Sequence, residues 1–302
     1  MTEHHPQGAL RAGIGAARGR YIAFLSAREL FSIDLFLAEA DTGRIIRKLI
    51  SSERNPHFES LRFIESAGAW SPDGQRLAIV TFAKGDNLLS LVDVDSGRTE
   101  HIRVPGLKAI MNVAWSPDGR SIVLSGQTTG VSDLFLYNLD TKQVRRLTND
   151  TFADLQPAFS PDGRTIAFVT DRGNETSLRE LEFSEKRLAT IEVATGVIRV
   201  LAIWPEAKHI NPKWSPDGTG IYFIGNPEGV PDIYRYDVGS GGVTRVTHVL
   251  TGVAGITDMS PAMDVASRTG TIDLPKRSSA QACAARRSCH GRSSATSTST
   301  SD

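Results

Sequence analysis

The sequence predicts an all-β chain, a β-propeller of four-stranded blades. Three observations carry that prediction. An aromatic residue followed by Ser-Pro-Asp-Gly recurs in register along the chain. Each copy leads into an apolar, β-rich run and then into a strand with period-two alternation. Successive copies lie about 45 residues apart, which is room for four short strands and their turns.

The copies are AWSPDGQRLAIV from Ala69, AWSPDGRSIVLS from Ala114, AFSPDGRTIAFV from Ala158 and KWSPDGTGIYFI from Lys213. Their serines, Ser71, Ser116, Ser160 and Ser215, are spaced by 45, 44 and 55 residues. A worn copy, DMSPAMDV, places Ser260 another 45 residues on. At the other end GRYIAFLS resembles the second half of the motif, with Gly19 lying 55 residues before Gly74. Five recognisable repeats and a partial sixth therefore fill residues 19–265. Residues 1–18 are expected to be weakly structured. Residues 266–302, rich in Ser, Thr, Ala and Arg, are expected to form a disordered tail.

Within a repeat each element has a local cause. Proline presets φ in the Ser-Pro-Asp-Gly turn, aspartate suits the next position, and glycine accepts a conformation other residues resist. The second strand is an apolar run such as Arg164–Val169. The third alternates, as in Asp133–Leu139 and Asp232–Val238. A polar turn leads to a fourth, Val144–Thr148 or Val243–Thr247. The longer steps are absorbed by loops, Gly173–Lys186 in one repeat and Ser51–Glu65 in another, and loops can carry function.

Trp-Ser-Pro-Asp-Gly, an apolar strand, an Asp-Ile/Leu-Tyr/Phe strand and then Arg-Leu-Thr-Asn-Asp resemble the WD-like (PD40-type) repeat of TolB-like propellers. RRLTNDTFADLQPAFSPDGRTIAFVTDRG, residues 145–173, follows that pattern closely. The resemblance covers residues 20–265 and implies a propeller. It is shared by a periplasmic Tol-Pal component, by propellers attached to prolyl-oligopeptidase-type hydrolases and by propellers fused to outer-membrane barrels. Against the family pattern, the first repeat lacks its Ser-Pro-Asp-Gly and the repeat at Ser260 stops half-way. The expectation is a fragment of a longer protein with a mis-called start and a frame-shifted end, the alternative being a genuine short protein with a natural disordered tail. The first twenty residues carry no continuous apolar core of the secretory kind, so the compartment is left to the resemblance, which implies the periplasm.

Charge and motif exclude several functions. Lys+Arg and Asp+Glu balance at 34 each, giving no global field to gather nucleic acid. No apolar run reaches the ~20 residues of a membrane-spanning helix, so direct membrane insertion is not expected. Gly-x-Ser-x-Gly, the Walker pattern and His-Glu-x-x-His are absent, and no catalytic residue or cofactor is assigned. Cys283, Cys289 and His290 fit no standard zinc spacing, and His4 and His5 read as a solvated terminus.

The turn aspartates Asp73, Asp118, Asp162 and Asp217 read as local hydrogen-bond acceptors. Trp70, Trp115, Phe159 and Trp214 read as packing between blades. Asp34, Asp133 and Asp232 read as ties for the loop before the third strand. The segment before each turn should be the innermost strand, lining the central channel. Three residues before the aromatic stand Asn112, Gln156 and Asn211, and five before it stand Glu65, Asp154 and His209. Strand alternation puts both sets on one face. That polar ring at the channel mouth is expected to bind a protein or peptide partner. The leading expectation is therefore a non-catalytic, protein-binding TolB-like propeller of the cell envelope. The alternative is the substrate-gating propeller of a prolyl-oligopeptidase-type peptidase whose catalytic domain lies elsewhere.

Overall fold

The computed structural model describes residues 10–14, 20–26, 34–50, 60–61, 68–254, 262–265 and 272–273, apart from residues 84, 129, 174 and 178. The described residues form five blades of antiparallel strands and contain no helix. Blade 1 is β1 (Leu10–Ile14), β2 (Tyr21–Ser26), β3 (Asp34–Glu39) and β4 (Ile45–Ile50). In blade 2, β5 (Ser60–Leu61) and β6 (Ala69–Trp70) both pair with β7 (Arg76–Ala83), followed by β8 (Asp86–Asp93) and β9 (Thr99–Ile102). Blade 3 is β10 (Ala109–Trp115), β11 (Ser121–Gln127), β12 (Ser132–Asn138) and β13 (Val144–Arg146). Blade 4 is β14 (Asp154–Phe159), β15 (Thr165–Thr170), β16 (Arg187–Glu192) and β17 (Ile198–Val200). Blade 5 is β18 (His209–Trp214), β19 (Gly220–Gly225), β20 (Asp232–Asp237) and β21 (Val243–Arg245). A two-stranded piece, β22 (Asp264–Val265) with β23 (Ile272–Asp273), follows in the place of a sixth.

The four-stranded blade and its count agree with the repeat spacing. Two elements fall outside the expected limits. β1 lies within residues 1–18 and pairs with β2, although it lacks the aromatic and turn signature of the other inner strands. β23 lies beyond residue 265 and pairs with β22.

Each Ser-Pro-Asp-Gly folds as one unit. In blade 3 the Gly119 amide donates to the Ser116 carbonyl at 2.9 Å, and Asp118 accepts from the Ser116 hydroxyl at 2.6 Å and the Arg120 amide at 3.0 Å. Gly119 sits at φ 72°, a conformation that favours glycine. The same contacts recur at Asp73, Asp162 and Asp217, so the turn aspartates are local acceptors.

A blade has two apolar faces, and the core lies between blades. Ala78, Val80, Leu89 and Leu91 of blade 2 meet Val113, Ile122, Leu124 and Phe135 of blade 3. Phe168 of blade 4 and Phe223 of blade 5 are fully buried in the next two junctions. Trp115 Nε1 donates to the Ala69 carbonyl at 3.1 Å and Trp214 Nε1 to the Ala158 carbonyl at 3.1 Å. The repeated aromatic therefore stitches each of these blades to a neighbour.

Candidate functional site: the channel mouth

The inner strands run along the channel from one mouth toward the Ser-Pro-Asp-Gly turns. β10, β14 and β18 each carry a register shift, between Ile110 and Asn112, Leu155 and Ala158, and Ile210 and Lys213. Pro157 and Pro212 give two of the shifts a cause. Proline offers no amide to the ladder and bars the preceding residue from the right-handed helical region. Gln156 and Asn211, the preceding residues, sit at φ 51° and 58°.

The shifts decide what the polar ring does. The Gln156 amide donates to Asn112 Oδ1 at 3.0 Å, and the Asn211 amide donates to Gln156 Oε1 at 2.7 Å. Asn211 Nδ2 then donates to the Met263 carbonyl at 2.8 Å. Each polar side chain thus serves the next blade in turn, passing a hydrogen-bond relay around the channel. All three residues are buried. An unpaired buried amide costs about 1–3 kcal/mol, so the relay protects strands that the shift would leave unsatisfied.

Asp154 and His209 stand at the start of their strands, but both are buried rather than at an exposed rim. The irregular register ends the simple alternation that would align them with Gln156 and Asn211. Asp154 pairs with Arg172, which also reaches Asp150 and lies over the Phe152 and Phe168 rings. Burial pushes the Asp154 carboxyl up, against the opposing pull of Arg172, Thr148 and Thr170. His209 occupies the same repeat position with different chemistry. Its amide donates to the Lys186 carbonyl at 2.7 Å, and its ring packs against Phe223 and Trp204 at centroid distances of 5.3 and 6.1 Å. Neither ring nitrogen meets a partner among the described residues. Burial, with the nearby Arg187 charge, lowers its pKa to about 4. Glu65 lies outside the described residues.

A second set of polar contacts sits at the outer side of the same end. In blade 3, Asp133 binds Arg146 and Thr148, and Thr148 Oγ1 accepts from the Leu134 amide at 2.9 Å. Blade 5 repeats this lock with Asp232, Arg245 and Thr247, and blade 1 keeps an Asp34–Lys48 pair. These aspartates therefore hold the strand that follows, correcting their assignment to the loop before. The reason is register: the fourth-strand arginine and the threonine just after it are brought beside the aspartate at the start of the third strand. Blade 4 lacks the lock, since Arg187, Val200 and Ala202 occupy the three positions.

Blade 4 instead carries the long loop from Asp171 to Lys186 at this mouth. It is pinned by Lys186–Asp171 at 3.0 Å, by Ser184 N–H to Thr176 Oγ1 at 2.9 Å and by paired backbone bonds between Ser177 and Glu182. Its tip exposes Leu181 (74%) and Phe183 (55%) beside Glu180, Glu182 and Glu185. Leu181 sits at φ 55°, unusual for a residue with a side chain. The sequence flagged this loop by its length, but not which of its residues face solvent.

At the opposite mouth the channel opens into a cavity of about 310 Å³ bounded by Trp115, Trp214, Pro161, Lys213 and Asp264. Lys213 and Asp264 pair there at 3.0 Å. Among the described residues no group of three or more His, Cys, Asp or Glu could hold a metal ion, and no helix is long and apolar enough to cross a membrane. Cys283, Cys289, His290, His4 and His5 lie outside the described residues.

Residues 59–198 match the family model of the TolB beta propeller domain, PD40. The chain is 27% identical over 255 residues to dipeptidyl-peptidase 5 of Porphyromonas gingivalis, covering 78% of this chain and 32% of that protein. It is 30% identical over 166 residues to a protein TolB homolog of Chlorobium chlorochromatii, covering 54% and 37%. It thus spans about a third of the length of these curated relatives. Among solved structures, TolB from Acinetobacter baumannii superposes with a TM-score of 0.62 at 16% identity, over 79% of this chain and 54% of that one. Repeat, blade and family match agree, and the chain carries a TolB-like β-propeller built of PD40-type repeats.

Proposed function

We propose that this propeller is a non-catalytic scaffold that binds a protein partner at the channel mouth where β14 and β18 begin, in the bacterial cell envelope. The observation that carries the proposal is the pinned blade 4 loop, which holds Leu181 and Phe183 in solvent. Exposed apolar side chains on a pre-ordered loop are what a protein interface uses and what a solvated loop avoids. In this proposal Asn112, Gln156, Asn211, Asp154 and His209 shape the mouth beneath the loop.

Photo-crosslinking from position 183, in cells that make the protein, tests it. A discrete adduct should form and should disappear with Leu181→Ser. It should persist with Val246→Ser, a change at an exposed site just after β21. No adduct, or one indifferent to Leu181→Ser, overturns the proposal. The similarity to a dipeptidyl-peptidase over 255 residues favours a second reading, the substrate-gating propeller of a peptidase. In that reading the isolated chain leaves peptide substrates intact and binds them at the same mouth.

A further inference from the structure

The blade junctions differ at their outer edge, and one of them is open. Between blades 1 and 2, Arg47 donates to the Val94 carbonyl, and between blades 3 and 4, Arg145 donates to the Val193 carbonyl at 2.8 Å. Between blades 2 and 3, Glu100 faces Lys142 at 4.0 Å. The fourth-strand residue in the same position of blade 4 is Arg199. Its guanidinium makes no hydrogen bond or ion pair among the described residues, although Val238 stands where Val94 and Val193 do.

A second difference falls at the same junction. Arg76 lies 5.0 Å over the Trp115 ring and Tyr137 is 2% exposed, so the blade 2–3 junction is roofed by a flat guanidinium. By register the blade 4 residue matching Arg76 is Thr165, which is too short to cover Trp214. The result is a cleft of about 450 Å³ with Trp214, Tyr236, Leu201 and Ile221 as its floor and Arg199 and Val238 at its lip. Volume and apolar floor suit a small ligand. Its charges are uneven in use. Asp162 is engaged by Ser160 and the Arg164 amide, and Glu192 by Thr195, whereas Arg199 has no acceptor.

We propose that the blade 4–5 cleft binds an aromatic carboxylate. The flat ring packs on Trp214 as the Arg76 guanidinium packs on Trp115. The carboxylate accepts from Arg199 as the Val94 and Val193 carbonyls accept from Arg47 and Arg145. A flat cation is disfavoured by Arg199 and by Arg164, which also lines the cleft. The site is separate from the channel mouth, so its failure leaves the proposal for the mouth intact.

Isothermal titration of the full chain with 2-naphthoate, 2-naphthamide and benzamidine tests the assignment. Naphthoate should bind about tenfold more tightly than its neutral amide, the worth of one charge-assisted contact. Arg199→Ala, a change at an exposed side chain, should abolish that preference. Thr165→Arg, which copies the blade 2–3 roof, should abolish binding while the circular dichroism spectrum is kept. A peptide ending in phenylalanine, with free and with amidated C-terminus, separates two sources of the same chemistry. Tighter binding of the free-ended peptide than of naphthoate assigns the cleft to a chain end, and the reverse assigns it to a free acid. Equal affinity for naphthoate and naphthamide, preference for benzamidine, unchanged affinity in both variants, or no binding of any probe overturns the assignment.

Discussion

Blades 3 and 5 fasten their third and fourth strands with the same three side chains, and blade 4 with none of them. Asp133, Arg146 and Thr148 match Asp232, Arg245 and Thr247 in partners as well as in position. Blade 4 replaces all three, by Arg187, Val200 and Ala202. Electrostatics explains why they change together. An arginine in place of the aspartate would face a like charge if the fourth-strand arginine stayed, and the threonine would lose its acceptor. A buried polar cluster with one member removed is worse than an apolar replacement of the whole. Blades 3 and 5 thus keep the lock whole and blade 4 drops it whole, while blade 1 keeps its charged pair with Ile50 at the threonine position. The strand pattern is independent of the lock, since Leu188, Ala189 and Ile191 of blade 4 are buried like Leu134, Phe135 and Tyr137 of blade 3.

The sharpest way to break this comparison is to leave a lock half-made. Asp232→Ala strips Arg245 and Thr247 of a fully buried carboxylate, and should cost about 3 kcal/mol in urea unfolding. Arg187→Leu at the matching site of blade 4 should cost nothing or stabilise. The triple change Asp232→Arg, Arg245→Val, Thr247→Ala, which gives blade 5 the blade 4 set, should recover most of the single-mutant loss. Similar losses for Asp232→Ala and Arg187→Leu, or a triple variant worse than the single, would show that the three residues are not a unit.

The relay gives the next largest effect. Asn112→Ala removes the acceptor of the Gln156 amide and should cost about 2 kcal/mol by leaving a buried donor unpaired. Amide exchange at Gln156 should quicken with it, while exchange at Asn211, whose amide bonds Gln156 instead, should change less. Equal quickening at both amides would mean that the two junctions open together.

The fold was legible because a repeat states the same solution several times. A turn that needs proline, aspartate and glycine, followed by strands of period two, leaves little freedom once it recurs at near-constant spacing. The site was legible only in part. Asn112, Gln156 and Asn211 stand out as polar residues at one repeat position, and the structure links them by hydrogen bonds from blade to blade. Their partners depend on the register shift, which alternation does not reveal. Pro157 and Pro212 were the available signal, because a strand position without an amide invites such an irregularity. The burial of Asp154 and His209 was not legible. It depends on residues remote in sequence, Arg172 for one, Trp204 and Phe223 for the other. The loss of the blade 4 lock was visible in the residues themselves, but gains meaning only once register aligns Arg187 with Asp133 and Asp232.

The smallest effect expected is a pH dependence, and it joins the missing lock to the mouth. His209 is buried without a ring partner among the described residues, near the cation that replaced the lock aspartate. Its pKa falls from 6.5 to about 4 in the folded chain, so between these values the unfolded chain binds the extra proton. The neutral ring's contribution is fully present above pH 6.5 and is lost as pH falls toward 4. Asp154 acts with the opposite sign, since its raised pKa favours the folded chain on the acid side and that contribution fades as pH rises. The two are separated by His209→Phe, which keeps an aromatic ring between Trp204 and Phe223 and removes the titration. The unmodified chain should lose on the order of 1 kcal/mol between pH 7 and pH 5 relative to that variant. Arg187→Leu should shrink the difference by removing the charge that helps depress His209. Parallel stability profiles for the two chains would mean that protonated His209 finds a hydrogen-bond acceptor or solvent as the pH falls, and that the mouth opens where blade 4 has no lock.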